Sequence, residues 1–109
     1  MRRGEVWTVA GGGAYAGKPR PVVIVQSDLF GDLASATFCP ITTERIAADF
    51  VRPSIAPSRT NGLQAPSQVM IDKITTVPKA RLGAKIGTLS EDDLLKVRRA
   101  LVLFLGIGA

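Results

Sequence analysis

Apolar residues in this chain come in short alternating or continuous blocks, and a helical period appears only near the C-terminus. Glu5–Ala10 alternates around Val6, Trp7 and Val9, the period of a half-buried strand. Pro21–Gln26 carries the unbroken run Val22-Val23-Ile24-Val25 and predicts a strand buried on both faces. Ser27–Ser35 reads as a connection with a short helical turn. Ala36–Ile41 is a third strand and runs into Thr42-Thr43-Glu44-Arg45. Phe50–Ile55 is a fourth, with Pro53 marking an edge or a bulge. Ser58–Gly62 is turn-rich. Gln68–Ile71 and Ile74–Val77 predict strand bent around Asp72-Lys73. Pro78–Leu82 suits a helical turn and Ala84–Thr88 a last short strand.

One helix is expected after Ser90. The serine is an N-cap, and Glu91, Asp92 and Asp93 place negative charge at the positive end of the helix dipole. Leu94, Val97, Leu101, Phe104 and Leu105 share one face, and Gly106 is a stop. Short strands followed by a single helix predict a mainly β fold, a small and strongly bent antiparallel barrel. Leu95, Val102 and Leu103 lie off the main helical stripe. They predict a second buried surface, hence a homodimer.

Composition narrows the chemistry. With 109 residues, 46% hydrophobic and 21% charged, residues 1–109 are expected to form one domain with its own core. A domain of this size favours a surface groove over a deep chamber. The net charge of +5 fits a polyanionic partner, and equally a basic protein with none. The chain has no histidine, which removes Ser-His-Asp and Cys-His schemes and nearly all zinc sites. Cys39, the one cysteine, sits in an apolar run and reads as a buried structural thiol of a reducing compartment. No signal peptide or membrane-length run is visible, so a cytoplasmic protein is expected. The glycine-rich stretch 11–17 reads as a flexible loop. It lacks the GxxxxGK[ST] spacing of a phosphate cradle, and no helix follows it.

Gly17-Lys18-Pro19-Arg20-Pro21 is the best candidate for function. Each proline fixes its own φ and pushes the preceding residue into an extended conformation, so Lys18 and Arg20 are held extended at the door of a buried strand. That suits a guanidinium aimed at an anion, most often phosphate. Thr42 and Thr43 emerge at the end of a central strand, where hydroxyls can hold a phosphate oxygen or simply cap a turn. Asp72-Lys73 interrupts an apolar pattern, as either a solvated bend or a site.

Taken in order, several segments carry a resemblance: Arg-Gly-Glu-Val-Trp (3–7), Lys-Pro-Arg-Pro-Val-Val-Ile-Val (18–25), Cys-Pro-Ile-Thr-Thr (39–43), Asn-Gly-Leu (61–63), Ser-Gln-Val-Met-Ile-Asp-Lys-Ile-Thr-Thr-Val (67–77) and Lys-Ile-Gly-Thr-Leu-Ser (85–90). The set resembles the PemK/MazF-type toxins of type II toxin–antitoxin systems over nearly the whole chain. The resemblance implies an SH3-like barrel with a C-terminal helix and a homodimer. It implies a metal-independent endoribonuclease with no cofactor, cutting single-stranded RNA, and an antitoxin whose disordered tail occupies the RNA groove. It places Arg20, Thr42 and Asp72 in the catalytic site, with Thr43 beside them; Lys18, Glu44 and Lys73 are expected, with Thr43, as substrate contacts. The chain departs from the family pattern at Lys73, in place of the common glutamine, and at Thr75, in place of an arginine, and it carries Met70 where some relatives use an arginine.

The implied reaction is attack of the RNA's own 2′-OH on the adjacent phosphorus. Arg20 would stabilise the phosphorane and protonate the leaving oxygen, Thr42 and Thr43 would position the phosphate, and Asp72 or Glu44 would be the base. With no histidine and no arginine near Asp72, Arg20 is expected to serve as both charge stabiliser and acid. Two alternatives share the barrel: a CcdB-like gyrase poison, and a non-catalytic barrel that binds nucleic acid or protein. The Trp-Gly-Ile ending of the gyrase poisons is missing, since Trp7 is the only tryptophan.

Overall fold

A computed structural model of the chain describes residues 1–10 and 18–108, so the segment expected as a loop, 11–17, lies outside the described residues. Among those residues the chain forms β1 (Glu5–Val9), β2 (Arg20–Ile24), β3 (Ser35–Thr42), β4 (Ser54–Ile55), β5 (Ser67–Val69), β6 (Thr75–Pro78), β7 (Leu82–Thr88) and one helix, α1 (Glu91–Leu105). The strands make a curled, antiparallel sheet in the order β4-β5-β3-β2-β1-β7, with β6 also paired to β3. The expected class, mainly β and strongly bent with a C-terminal helix, is what forms.

The eight-residue β3 organises the sheet. One edge pairs with β2, while the other pairs with β6 along Ser35–Phe38 and with β5 along Ile41–Thr42. β5 and β6 are therefore two pieces of one path along β3, broken by a 3₁₀ turn at Ile71–Lys73. The bend expected at Asp72-Lys73 is this turn. Ile71 anchors it in the core, and the two charged residues stay exposed.

The fourth expected strand is corrected. Only Ser54–Ile55 pairs as strand, not the whole of Phe50–Ile55. Val51 and Arg52 both donate their backbone N–H to Ala48 O, at 3.0 and 2.7 Å, which closes a turn. Pro53 has no N–H to give, although its carbonyl accepts from Val69 N–H at 3.0 Å.

Strand alternation builds two apolar clusters on opposite faces of the sheet. Val23, Val25, Cys39 and Ile41 join Ile55, Val69 and Ile71 beneath Val97, Ala100 and Leu101 of the helix. Val22, Ile24 and Phe38 form the other cluster with Val9, bordered by Met1, Trp7, Val77 and Leu82. Asn61-Gly62 marks a close crossing. A Cβ on Gly62 would lie 2.2 Å from Ile86 O, and one on Gly87 would lie 2.3 Å from the Asn61 carbonyl carbon. Only glycines let this loop touch β7, where Thr88 N–H bonds Thr60 O at 2.7 Å.

The helix starts and stops as expected. Asp93 N–H donates to Ser90 Oγ, and Gly106 closes the helix in the left-handed region at φ 68°. The stripe differs at its end: Val97, Ala100 and Leu101 are buried, whereas Phe104 and Leu105 stand 47% and 50% exposed. Leu94 is half-buried. Leu95, Val102, Leu103 and Ile107 also remain exposed, a second apolar surface that the described residues leave uncovered.

Candidate active site

Arg20 opens β2 and Thr42 closes β3. The two strands pair with Val22 opposite Pro40 and Ile24 opposite Phe38. Continuing that antiparallel register by two residues sets Arg20 opposite Thr42. Both have the parity of the Val22–Phe38 cluster, so they stand on the sheet face turned away from the helix. The Pro-Arg-Pro segment thus delivers the guanidinium beside a hydroxyl from a strand twenty residues on, by sheet pairing alone.

The two residues sit where two clefts meet. An apolar cleft of about 240 Å³ is lined by Val9, Val22, Phe38, Pro40 and Val77, with Arg81 as a further cation. A polar cleft of about 330 Å³ is lined by Thr43, Glu44, Ile46, Arg52 and Lys73. Arg20, Thr42 and Met70 line both, which makes one groove with an apolar and a cationic half. The polar half carries three cations, Arg20, Arg52 and Lys73, against the single carboxylate of Glu44. Such a groove suits a chain of phosphates on one side and a base or other flat apolar group on the other.

The loop after β3 is fixed by two devices. Glu44 N–H donates to Thr42 Oγ1 at 3.1 Å, which uses a lone pair of the hydroxyl and leaves its hydrogen to offer to an anion. Gln68, only 3% exposed, holds Ile46 from both sides: its Oε1 accepts from Ile46 N–H at 3.0 Å and its Nε2 donates to Ile46 O at 2.9 Å. Gln68 lies opposite Thr42 on β5. A buried amide next to the site therefore sets the shape of the polar half.

Asp72 does not line the groove. Its two carboxylate oxygens accept from Arg52 Nε at 2.7 Å and from an Arg52 Nη at 3.0 Å. That bidentate pair holds the carboxyl below its usual range, burial pulling the other way and losing. Asp72 is thus ionised and occupied, which makes it a weak proton acceptor at neutral pH. The guanidinium, in turn, is held more firmly in its charged form. Arg52 lines the polar half on one side and, with Asp72, a shallow cleft containing Ile46, Phe50 and Phe104 on the other. The expectation that no arginine stands near Asp72 is corrected: the turn at 48–52 brings one there from outside its strand.

The remaining expected residues divide. Thr43, Glu44 and Lys73 line the polar half, while Lys18 is exposed just ahead of β2 and lines neither half. Sequence reasoning missed Arg52 and Gln68. Gln68 left a trace, a polar residue inside an apolar strand pattern, whereas nothing near Arg52 in the chain points to Asp72. Cys39 is fully buried, and burial followed by the Asp72 charge pushes its thiol up to about 12, so it is no nucleophile. Among the described residues no group of three or more Cys, Asp or Glu side chains stands together as a metal site, and no helix is long and apolar enough to cross a membrane.

Known proteins with this sequence and fold agree with one another. The chain is 49% identical over 108 residues to "Probable endoribonuclease MazF" of Mycolicibacterium smegmatis, covering 99% of each. It is 30% identical to "Endoribonuclease MazF9" of Mycobacterium tuberculosis, covering 98% of each. In fold it matches a mycobacterial endoribonuclease solved in complex with its cognate antitoxin, with a TM-score of 0.84 at 24% identity over 100% of this chain and 98% of that one. Residues 2–105 match the model of the PemK-like, MazF-like toxins of type II toxin–antitoxin systems, and the chain belongs to that family.

Proposed function

We propose that this toxin endoribonuclease cuts single-stranded RNA, messenger RNA in the cell, in the groove centred on Arg20 and Thr42, without a metal ion. The observation that carries the reading is the placement of that guanidinium and that hydroxyl side by side across β2 and β3, on a cation-lined face. The RNA's 2′-oxygen bonds to the adjacent phosphorus as the bond to the 5′-oxygen breaks. The products are a 2′,3′-cyclic phosphate and a 5′-OH end. Arg20 stabilises the charge that builds on the phosphorane and delivers the proton to the leaving oxygen. Thr42 donates to a non-bridging oxygen, and Thr43 and Lys73 seat the flanking strand with Lys18 at its approach. Glu44 is the carboxylate in the groove lining and takes the 2′-OH proton. Asp72 remains part of the site through its pair with Arg52.

The partners proposed for this chain are a second copy and an antitoxin. The exposed Leu95, Val102, Leu103 and Ile107 supply an apolar surface for the homodimer. An antitoxin with an acidic, disordered tail suits the cationic groove, and structural relatives solved with cognate antitoxin support that assignment. One buried thiol and no disulfide are compatible with the cytoplasm.

The test is to incubate purified protein with a long RNA, with and without EDTA. Cuts at defined sites that resist the chelator, carry 5′-OH ends and vanish in Arg20→Ala are expected. DNA of the same sequence stays intact, because it has no 2′-OH. Uncut RNA together with gyrase arrest would overturn the reading in favour of the gyrase-poison alternative.

A further inference from the structure

The geometry points to Arg52 as a second guanidinium that contacts the RNA backbone, with Asp72 as the positioning residue that aims it. The inference rests on the ribonuclease reading of the groove and deepens it. Arg52 reaches the polar half from the 48–52 turn, a segment outside the strands that carry Arg20 and Thr42. Its side chain is only 12% exposed, and the Asp72 carboxylate grips it through two parallel bonds at 2.7 and 3.0 Å. An arginine has five N–H donors. Two are spent on Asp72, and the others belong to a group that lines the groove beside Arg20, Thr43 and Lys73. A guanidinium locked by a fork on one edge presents its other edge with little rotamer entropy left to lose, the arrangement that favours bidentate binding of a phosphate.

A purely structural role would end at the ion pair. Two features argue for more. The pair sits at the rim of a cleft whose other cations face the same space. The charge that Asp72 brings near a polyanion is tolerable only if its effect is to place a cation, since a bare carboxylate there would repel RNA.

The sign of the Asp72 effect decides the matter. Binding is measured with a fully 2′-O-methylated RNA, which cannot be cleaved, between about 50 and 200 mM salt. Arg52→Gln keeps a hydrogen-bonding side chain of similar length. It should weaken binding about tenfold and lower the slope of log K against log salt by about 0.7, the value of one single-strand phosphate contact. Arg52→Lys keeps the charge and should restore the slope. Asp72→Asn removes a negative charge, so simple repulsion predicts tighter binding. The positioning role predicts weaker binding, and only while Arg52 is present. Tighter binding in Asp72→Asn, or an unchanged slope in folded Arg52→Gln, overturns the inference. If Arg20→Ala abolishes cleavage of the unmodified RNA, assayed in parallel, the groove reading stands without it. If Arg20→Ala cuts RNA normally, the groove reading fails first and this inference falls with it.

Discussion

The two faces of the β2–β3 ladder are built from neighbouring residues of the same strands and behave in opposite ways. On the helix side, Val23 and Cys39 are fully buried and face each other in register beneath Val97 and Leu101. One residue out of phase, the other side begins as core at Val22 and Phe38 and ends as the pair Arg20 and Thr42. The first face is finished by the helix. The second is left open and ends in Arg20 and Thr42, the residues proposed to carry the chemistry. A half-barrel covered on one side thus obtains rigidity and a working groove from one ladder, because side chains in a strand alternate with a period of two.

Arg20→Ala tests the open face most severely. Cleavage should fall by about 10²–10³-fold, the cost of losing one charge-stabilising donor, while thermal stability shifts by less than about 0.5 kcal/mol. A loss of rate that merely followed a loss of fold would erase the distinction between the faces. Val23→Ala is its mirror image. Removing two buried methyl-sized groups should cost about 2 kcal/mol and lower Tm by about 10 °C, read by calorimetry, with the cleavage rate of the folded protein retained.

Gln68→Ala probes the seam between the faces. Its side chain is buried, yet it acts on the groove through both bonds to Ile46. Freeing that loop should lower kcat/KM about tenfold through mispositioning, and more than the stability change alone predicts. Glu5→Gln should give the smallest effect, present at neutral pH and fading in acid. Burial opposes ionisation of Glu5, but bonds from Trp7 Nε1 and Arg2 N–H, together with the Lys85 ammonium, hold its carboxyl below the ordinary value of 4.5. The folded state therefore stays ionised where the unfolded chain already takes up a proton. Its stabilisation is complete above pH 4.5 and drains as pH falls through the lower folded value. Melting curves should show the wild type losing more Tm than Glu5→Gln between neutral pH and pH 3, and equal losses would remove this role from Glu5.

Local pattern was enough where short-range physics decides. The apolar run after Pro21, the alternation around Trp7 and the Ser90 cap gave strands and helix close to their observed limits. The bend at Asp72-Lys73 was legible because two charges cannot continue a buried strand. Phe50–Ile55 misled, since its apolar content reads as strand while Pro53 and the turn back to Ala48 prevent pairing. Phe104 and Leu105 share a face with Val97, yet burial also needs something for that face to meet, and both stay exposed.

The sequence by itself determined the element types, the absence of histidine chemistry and the extended presentation of Arg20 between two prolines. Those follow from side-chain period, residue inventory and the fixed φ of proline. Only the tertiary structure decided that Arg20 stands across from Thr42, that Gln68 grips Ile46, and that Asp72 holds Arg52 instead of waiting as a free base. Each of these is a contact between residues about twenty positions apart. Such contacts are set by register and loop closure, which no local stretch of the chain encodes.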